Sequence, residues 1–351
     1  MAMADITIYG AGIFGLSIAW SCVQRGAKVQ VIDPHGVGAG SSGGVVGALA
    51  PHTPENWNDK KQFQFESLMM AEEYWRTIEQ IGGKSTGYAR SGRLQPLNDD
   101  RALELAKARS LNAIELWQGR ARFDIINASD VGDWAPKSES GLLASDTLSG
   151  RMHPRMTCAA LQAALKVKGC QVIERGTPEG IIVEATGWRG LAHIAEQMDQ
   201  AVGNGVKGQA AVLKYPAAQD APQLFADALH IIPHEDGTVA IGSTTEREFD
   251  DPDSVDDQID DVIARARASF PILQNAPVIE RWAGVRPRSR SRAPMIGHHP
   301  LREGAFIANG GFKIGFGMAP KIAEVMADLI LDGCDTIPEG FRPEASIRSR
   351  S

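Results

Sequence analysis

Cysteine is scarce in this sequence of 351 residues, and long apolar runs are missing. The four cysteines, Cys22, Cys158, Cys170 and Cys334, are scattered and form no C-x-x-C pair. This usage is typical of reduced thiols and predicts neither disulfides nor a metal site. No apolar run approaches the ~20 residues of a transmembrane helix. Because the chain enters a strand-like run at once, without a basic leader, we expect no signal peptide and a cytoplasmic protein.

The sequence also lacks an excess of positive charge, and it contains no internal repeats. The formal net charge is -7 at pH 7, which argues against nucleic acid as a partner. The composition, with 43% hydrophobic and 23% charged residues, is ordinary for a soluble globular protein. The chain is too long for one small core, so its length favours two domains. The sequence does not indicate an oligomeric state.

Glycine, by contrast, is abundant and concentrates in turns. A strand-like run enters Gly10-Ala11-Gly12-Ile13-Phe14-Gly15, a helical pattern leaves it, and a second apolar run ends on Asp33. Gly10 permits the tight turn, Gly12 lets the backbone approach a pyrophosphate, and Gly15 lets the helix pack closely on the sheet. The helix N-terminus favours phosphate, and Asp33 is placed to bind a ribose diol. The unit predicts a dinucleotide site, with a merely structural turn as the alternative, and leaves NAD and FAD open.

Two further glycine-rich stretches indicate close approach to a ligand. Residues 36–44 form a loop of small residues that continues into the apolar stretch 45–49, which favours a ligand-covering loop over a flexible linker. A second glycine-rich turn occupies residues 309–317, between a strand and the final helix. A buried strand at 180–184 also ends in a glycine turn, at Gly187.

The periodicity of apolar residues predicts helices at 60–81, 157–167, about 250–270 and 319–331. The polar, Arg- and Ser-rich residues 342–351 are expected to be frayed.

The predicted fold class is α/β, of a two-domain α+β type. The α/β pieces stand at the start, middle and end of the chain, and two antiparallel stretches interrupt them. We therefore expect a Rossmann-like dinucleotide-binding domain made of residues 1–84, 150–209 and 283–351. An inserted antiparallel-sheet domain, made of residues 85–149 and 210–282, would bind the substrate.

The order of these motifs resembles the D-amino acid oxidase family of flavoproteins, in its glycine oxidase and sarcosine oxidase branch. The resemblance covers nearly the whole chain, and it is specific through the order and spacing of its motifs rather than through any one of them. The motifs are Gly10-x-Gly12-x-x-Gly15 with Asp33, Ser41-Ser42-Gly43-Gly44 before Ala50-Pro51, His153-Pro154, Glu184-Ala185-Thr186-Gly187-Trp188, Ile231-Ile232-Pro233 before Asp236-Gly237, Trp282-Ala283-Gly284-Val285-Arg286-Pro287 with Pro294-Met295-Ile296-Gly297, and Gly310-Gly311-Phe312-Lys313-Ile314-Gly315.

The resemblance implies bound FAD. The attachment would be non-covalent, because no cysteine follows Arg286 at the covalent-flavin position of sarcosine oxidases. The isoalloxazine would lie between the two domains under residues 41–48, and the helix that begins near Gly317 would point its N-terminus at the pyrimidine edge. The residues implied in cofactor binding are Gly10, Gly12, Ile13, Phe14, Gly15, Asp33, Pro34, Ser41, Ser42, Gly43, Gly44, Val46, Gly47, Ala48, Val172, Ala185, Thr186, Gly187, Trp188, Gly284, Arg286, Gly310, Gly311, Phe312, Lys313, Ile314 and Gly315.

The resemblance also implies three residues at the substrate. Arg286 would grip a substrate carboxylate, since a guanidinium offers a planar bidentate fork. Lys313 stands where relatives often have arginine and would bind substrate or flavin, with a solvated surface lysine as the alternative. His230 falls where relatives often place a tyrosine, and a structural strand histidine is its alternative. Because Ser291 replaces a common acid among the neighbouring arginines, we hypothesise a substrate with a second anionic group.

The implied function is an FAD-dependent oxidoreductase that oxidises the amine of a small amino acid. The substrate would be a D-amino acid, glycine or an N-methyl glycine, and hydride would pass to flavin N5. The products would be a 2-oxo acid with ammonia or an amine, and H2O2 where O2 rather than another acceptor takes the electrons. The alternatives are an amino-acid dehydrogenase, a flavin-binding subunit of a larger complex, and an NAD(P)-dependent dehydrogenase, which leaves the motifs at 282–287 and 310–317 unexplained.

Overall fold

The computed structural model describes residues 3–347 of the chain. In chain order the strands are β1 (Ile6–Tyr9), β2 (Val29–Ile32), β3 (Ala48–Leu49), β4 (Arg93–Pro96), β5 (Phe123–Asn127), β6 (Leu142–Asp146), β7 (Gly150–Arg151), β8 (Val172–Ile173), β9 (Ile181–Glu184), β10 (Gly203–Lys214), β11 (Gln223–Ala226), β12 (Leu229–Pro233), β13 (Thr238–Gly242), β14 (Val278–Ser289), β15 (Met295–His298) and β16 (Phe306–Asn309). The α-helices are α1 (Ile13–Gln24), α2 (Asp59–Gly82), α3 (Asp100–Leu116), α4 (Pro154–Val167), α5 (Gly187–Met198), α6 (Gln258–Ser269) and α7 (Gly315–Asp332).

A six-stranded sheet has the order β15-β16-β9-β1-β2-β8 and is parallel except for the β15–β16 pair. Strand β1 lies inside it, with Ile6 opposite Val29 of β2 and opposite Ile181 of β9. Ile6 and Ile8 are fully buried, as expected for the apolar run of a covered parallel sheet. The carboxyl ends of β1, β2 and β9 therefore meet at one edge, where ligands bind in open α/β sheets.

Helices α1, α2, α4 and α7 pack on one another and share one apolar core with this sheet. Helix α2 begins at the cap residue Asn58, whose side chain accepts a hydrogen bond from the Lys61 N–H, and ends at Gly83, with φ 65°. Its residues Trp75 and Ile78 are fully buried, which ties α2 to the core. None of the helices within residues 3–347 is both long and apolar enough to cross a membrane.

An eight-stranded sheet has the order β14-β10-β13-β12-β11-β4-β6-β5 and is antiparallel except where β11 meets β4. Helix α6 covers part of this sheet, and Ile259 and Phe270 join the apolar core beneath it. The mainly parallel six-stranded sheet with its helices and the mainly antiparallel eight-stranded sheet confirm the predicted α/β fold class. Strands β10 and β14, each of 12 residues, run across the predicted domain limits at 209/210 and 282/283, and the division into domains stays a prediction.

Several predicted boundaries are wrong, and helix α5 was not predicted at all. Gly187 suggested a turn after the strand, but it is the first residue of this helix, and Thr186 is the cap residue. Helix α6 begins at residue 258 rather than 250, because Asp251 and Asp256 accept hydrogen bonds from nearby backbone N–H groups. Helix α4 begins at residue 154 rather than 157, with His153 as its cap.

The prediction of a frayed C-terminal end is wrong for residues 342–347. Phe341 and Ser346 are buried, and the Ser346 Oγ accepts a hydrogen bond from the Ser291 N–H at 3.2 Å. The segment therefore packs on the turn after β14. Residues 348–351 lie outside the described part of the chain.

Candidate active site

The first glycine-rich turn joins the ends of three neighbouring strands. Gly10 has φ 105°, and a Cβ there would lie 2.7 Å from the carbonyl carbon of Ala185, at the end of β9. A Cβ on Gly15 would overlap the backbone oxygen of Gly10. At the end of β2, Asp33 Oδ2 accepts a hydrogen bond from the Ala11 N–H at 2.8 Å. The turn thus brings the predicted residues Gly10, Gly15, Asp33 and Ala185 together.

Residues 41–48, the covering loop, close on the N-terminus of α1. Ser42 Oγ accepts a hydrogen bond from the Ile13 N–H at 2.9 Å, and a Cβ on Gly12 would lie 3.2 Å from the same oxygen. Gly47 is held against the backbone of Met152, where a Cβ would overlap the carbonyl oxygen. Since Val45 is only 1% exposed, this segment is a packed loop and the linker alternative is wrong.

Other residues implied in cofactor binding lie farther from the turn. Trp188 is on α5, where its ring packs on Phe249 with 6.3 Å between centroids and Arg189 lies 4.9 Å from its centroid. Val172 belongs to the edge strand β8, next to β2. Pro34 begins the turn after β2. Their roles toward a cofactor stay predictions.

The second glycine-rich turn, residues 309–317, meets the first through Phe14. A Cβ on Gly311 would lie 2.7 Å from Phe14 Cζ, and a Cβ on Gly310 would lie 3.0 Å from Ser289 Cβ. Gly310 has φ 74°, a conformation that glycine adopts without strain. Helix α7 begins at this turn, at Gly315 rather than near residue 317 or 319. Helices α1 and α7 therefore start side by side.

Trp282 packs between β14 and the covering loop. A Cβ on Gly284 would lie 2.7 Å from Trp282 Cη2, and one on Gly44 would lie 3.2 Å from the same atom. The glycines of the W-x-G-x-R-P motif and of the covering loop thus make room for one indole ring. Val46, also in the loop, would lie 3.0 Å from a Cβ on Gly242 of β13. The loop is therefore in contact with the eight-stranded sheet.

Arg286 lies inside β14, and three acceptors fix its guanidinium. Nη1 donates to Ser243 Oγ at 2.7 Å, and Nη2 donates to the carbonyl oxygens of Lys207 at 3.2 Å and Thr244 at 2.9 Å. A guanidinium has five N–H donors, so two remain. One of them, the buried Nε–H, has no hydrogen-bond partner among residues 3–347. Burial lowers the pKa of Arg286 to about 10, against the opposing charge of Glu246, and the group stays protonated at neutral pH.

Lys313 lies beside this arginine. Its Nζ donates to Thr245 Oγ1 at 3.1 Å and stands 5.8 Å from the centroid of the Phe312 ring. Burial, together with the charges of Arg286 and Arg288, lowers the pKa of Lys313 from its ordinary value. The side chain is nevertheless exposed, so a role at the substrate or flavin and the surface-lysine alternative both stay predictions.

His230 lies on β12, opposite Gly242 of β13. Its ring packs against Phe225 with 4.8 Å between centroids, and its buried Nδ1 has no hydrogen-bond partner within the described residues. Burial and the charges of Arg93 and Lys313 lower the pKa of His230 to about 3, so the ring is neutral. Because Ser243 follows Gly242 and binds Arg286, the structure brings His230 into the neighbourhood of the two predicted substrate residues.

A cavity of about 230 Å³ opens between the second glycine-rich turn and the N-terminal end of α2. It is lined by His52, Lys60, Arg288 and Arg292, and by four residues implied in cofactor binding, Gly310, Gly311, Phe312 and Ile314. Sequence reasoning missed His52 and Lys60, because a lysine in the first turn of an amphipathic helix looks like any solvated surface residue. No local signal in the sequence connects Lys60 with Arg292, although the Lys60 Nζ donates to the Arg292 carbonyl oxygen at 2.5 Å.

One histidine cluster bears on the prediction that the protein has no metal. The possible ligand atoms of His153, His234 and Asp236 lie within 4.8 Å of one another. However, His153 Nδ1 accepts a hydrogen bond from the Met156 N–H at 3.4 Å, and a metal on its Nε2 would force the proton onto Nδ1. That tautomer would remove the cap of α4. The absence of a metal stays a prediction.

These features fit a flavin dinucleotide, and comparison with known proteins identifies the class. The family model described as FAD dependent oxidoreductase (DAO) matches residues 5–329. The chain therefore belongs to the DAO family of FAD-dependent oxidoreductases.

Glycine oxidases are among the individual relatives of the chain. The chain is 24% identical to the glycine oxidase of Bacillus licheniformis over 93% of both proteins. It is 26% identical to the bifunctional protein ThiO/ThiG of a Synechocystis strain, of which it spans 52%. Among solved structures, glycine oxidase from Geobacillus kaustophilus has a TM-score of 0.83 at 19% identity, covering 97% of this chain and 98% of that one. Iminodiacetate oxidase from Chelativorans sp. BNC1 has a TM-score of 0.79 at 22% identity, covering 96% and 98%.

Family membership confirms the implied enzyme class and the FAD cofactor, and it removes the NAD(P) alternative. The residues that would hold FAD are those of the first glycine-rich turn with Asp33, the covering loop, and the second glycine-rich turn. When bound, FAD would supply a hydride acceptor and a route for two electrons to a second acceptor. The non-covalent attachment and the individual cofactor residues stay predictions.

Proposed function

We propose that this enzyme oxidises the amine of a small amino acid of the glycine, N-methyl glycine or D-amino acid type. Arg286 holds the substrate carboxylate, and Lys313 lies next to it. The relatives named glycine oxidase support this class of substrate. The product imine takes up water and yields a 2-oxo acid with ammonia or an amine.

The proposal rests on the hydrogen bonds of the Arg286 guanidinium. Three protein acceptors fix its orientation, yet the buried Nε–H has no partner among residues 3–347. A buried donor without a partner costs about 1–3 kcal/mol. A substrate carboxylate offsets this cost, because it accepts a charge-assisted hydrogen bond from the arginine. The fixed guanidinium then holds the α-carbon in one place, and positioning of this kind is the main contribution of the protein.

The neighbouring residues support amine oxidation without a strong base. His230 is neutral, with a pKa of about 3, and cannot take part as a cation at neutral pH. The lowered pKa of Lys313 reflects its burial beside Arg286 and Arg288. We infer that a substrate reacts with its amine neutral, and that Arg286 holds its carboxylate with the charge of Lys313 nearby. Both residues thus act through binding and charge.

The test is anaerobic mixing of the yellow holoenzyme with glycine, N-methylglycine and D-alanine. Loss of flavin absorbance near ~450 nm reports hydride transfer. Arg286→Ala should raise the substrate Kd by about 10- to 150-fold, which corresponds to the loss of one hydrogen bond to a charged group. Arg281→Ala is the matched control, because Arg281 lies on the same strand but is exposed and pairs with Asp260. An unchanged Kd in the Arg286 variant would remove the proposed role.

The electron acceptor and the cellular location are further parts of the proposal. We propose that O2 accepts the electrons and yields H2O2, with an amino-acid dehydrogenase as the second candidate. Repeating the substrate panel in air separates the two, because only an oxidase consumes O2 in proportion to substrate. We also propose a cytoplasmic location, supported by four free cysteines, of which three are buried.

A further inference from the structure

We propose that the substrate carries a second carboxylate, which binds in the cavity between Lys60, Arg288 and Arg292. This inference rests on the proposed amine oxidation and adds the substrate class, a small amino dicarboxylate. The first carboxylate stays with Arg286.

The geometry of β14 sets the distance between the two carboxylate sites. Arg286 and Arg288 are two residues apart on one strand, so their side chains leave the same face roughly 6.7 Å apart. Both guanidinium groups lie beside the Phe312 ring, with Cζ at 5.5 Å from its centroid for Arg286 and 5.2 Å for Arg288. A short molecule held at Arg286 therefore reaches Arg288 with its other end.

The cations around the cavity lack counter-charges. Within residues 3–347, neither Lys60 nor Arg288 nor Arg292 forms an ion pair, and no carboxylate lines the cavity. Glu246, whose charge acts on Arg286, stands 3.8 Å from Lys207. Like charges gathered in a partly buried site repel one another, and an anion bound among them offsets that repulsion.

Contacts of the backbone shape the cavity. The Lys60 Nζ donates to the Arg292 carbonyl oxygen at 2.5 Å, and the backbone of Arg288 bridges to Gly311. Arg292 and Phe312 both adopt positive φ, at 61° and 44°, which is uncommon for residues other than glycine. Such conformations cluster at ligand sites, where the surrounding structure imposes them. The backbone that carries the two arginines is thus held in position before a ligand arrives.

An anionic group of the cofactor is the other source of a matching ligand. The experiment therefore measures cofactor and substrate binding separately. It uses the holoenzyme and a matched pair of secondary amines: N-methylglycine, and N-carboxymethylglycine (iminodiacetate), which differs by one carboxylate. Each is mixed anaerobically with wild type, Arg288→Gln, Lys60→Gln and the control Arg290→Gln. Arg290 is exposed and donates to the Ser346 carbonyl oxygen, outside the cavity.

In the wild type we expect the dicarboxylate to bind at least about tenfold more tightly than N-methylglycine. Arg288→Gln and Lys60→Gln should each reduce this ratio by about tenfold, while Arg290→Gln keeps it. The inference is overturned if both amines bind equally well to the wild type. It is also overturned if the cavity variants weaken FAD binding and leave the ratio unchanged, because the cations then serve the cofactor. If neither amine, nor glycine or D-alanine, reduces the flavin, the proposed amine oxidation itself has failed.

Discussion

Gly208→Ala tests the position of Arg286 without removing its charge. Gly208 lies on β10 directly opposite Gly284 of β14. A Cβ at Gly208 would lie 2.5 Å from Arg286 Cζ and 2.9 Å from Nη1. Ordinary contact begins at 3.4 Å, and Nη2 lies closer to the added Cβ than Cζ does, so the guanidinium must move by more than about 0.9 Å. The backbone of Gly208 needs no positive φ, and the substitution therefore acts through this contact.

A displacement of this size breaks the arrangement that fixes the guanidinium. The bonds from Nη2 to the carbonyl oxygens of Lys207 and Thr244, at 3.2 and 2.9 Å, lengthen beyond useful range. A misplacement of about 1 Å costs roughly 10²-fold in a reaction that depends on orientation. We expect kcat/KM for the amino-acid substrate to fall by this factor. FAD binding should change less than kcat/KM, because the three atoms nearest to the added Cβ all belong to the guanidinium of Arg286.

The assay is anaerobic flavin reduction over a range of substrate concentrations, with FAD affinity measured separately. Gly205→Ala is the matched control on the same strand, since its Cβ would meet Val285 Cγ1 at 2.6 Å rather than Arg286. Equal losses in the two variants would show a general effect on the β10–β14 pair. A Gly208→Ala enzyme with wild-type kcat/KM would refute the claim that Arg286 must hold this position.

The remaining predictions concern the cofactor turn and pH. Gly10→Ala should yield colourless protein without FAD, because its Cβ would lie 2.7 Å from the Ala185 carbonyl carbon. The control Gly26→Ala, also at positive φ but facing open space, should bind FAD. Ser42→Ala leaves the Ile13 N–H without its acceptor and should cost about 1 kcal/mol of stability in thermal melts, against Ser41→Ala as control. Burial alone would raise the pKa of Glu184, but His299 and Arg302 outweigh it, so the pKa lies below its ordinary value of 4.5. The contribution of ionised Glu184 to stability is present above that pH and lost as the pH falls through the lowered pKa. The loss of stability caused by Glu184→Gln, measured in denaturant melts, should therefore shrink on acidification. A loss independent of pH would contradict this.

The first glycine-rich turn could be predicted because its determinants are local. The spacing of Gly10 and Gly15 fixes a tight turn whichever residues surround it, and the structure gives both glycines contacts that exclude a Cβ. Asp33 closes the turn through the Ala11 N–H, as its place at the end of a strand suggests. The covering loop was predictable for the same reason, since its glycines meet backbone atoms.

The cationic cavity could not be predicted, because its members are distant in sequence. Lys60 and Arg292 are separated by 232 positions and meet through one hydrogen bond. Their contact depends on how α2 packs on α7 and on where β14 ends, neither of which periodicity reveals. Helix α5 was not predicted for another reason. The glycine at its start suggested a turn, but tertiary packing on β10 and β14 supports the helix.

The second glycine-rich turn forms a wall between the predicted cofactor site and the proposed substrate site. On one side Gly311 lies against Phe14 of α1, next to the predicted phosphate turn. On the other side Phe312 carries Arg286, Arg288 and Lys313 within 6 Å of its ring, at 5.5, 5.2 and 5.8 Å. Because the Phe312 N–H donates to the Pro287 carbonyl oxygen at 2.9 Å, the turn cannot shift without moving the strand that bears both arginines. Binding of FAD against this wall therefore fixes the cations that receive the substrate, so the two ligands should stabilise each other's sites.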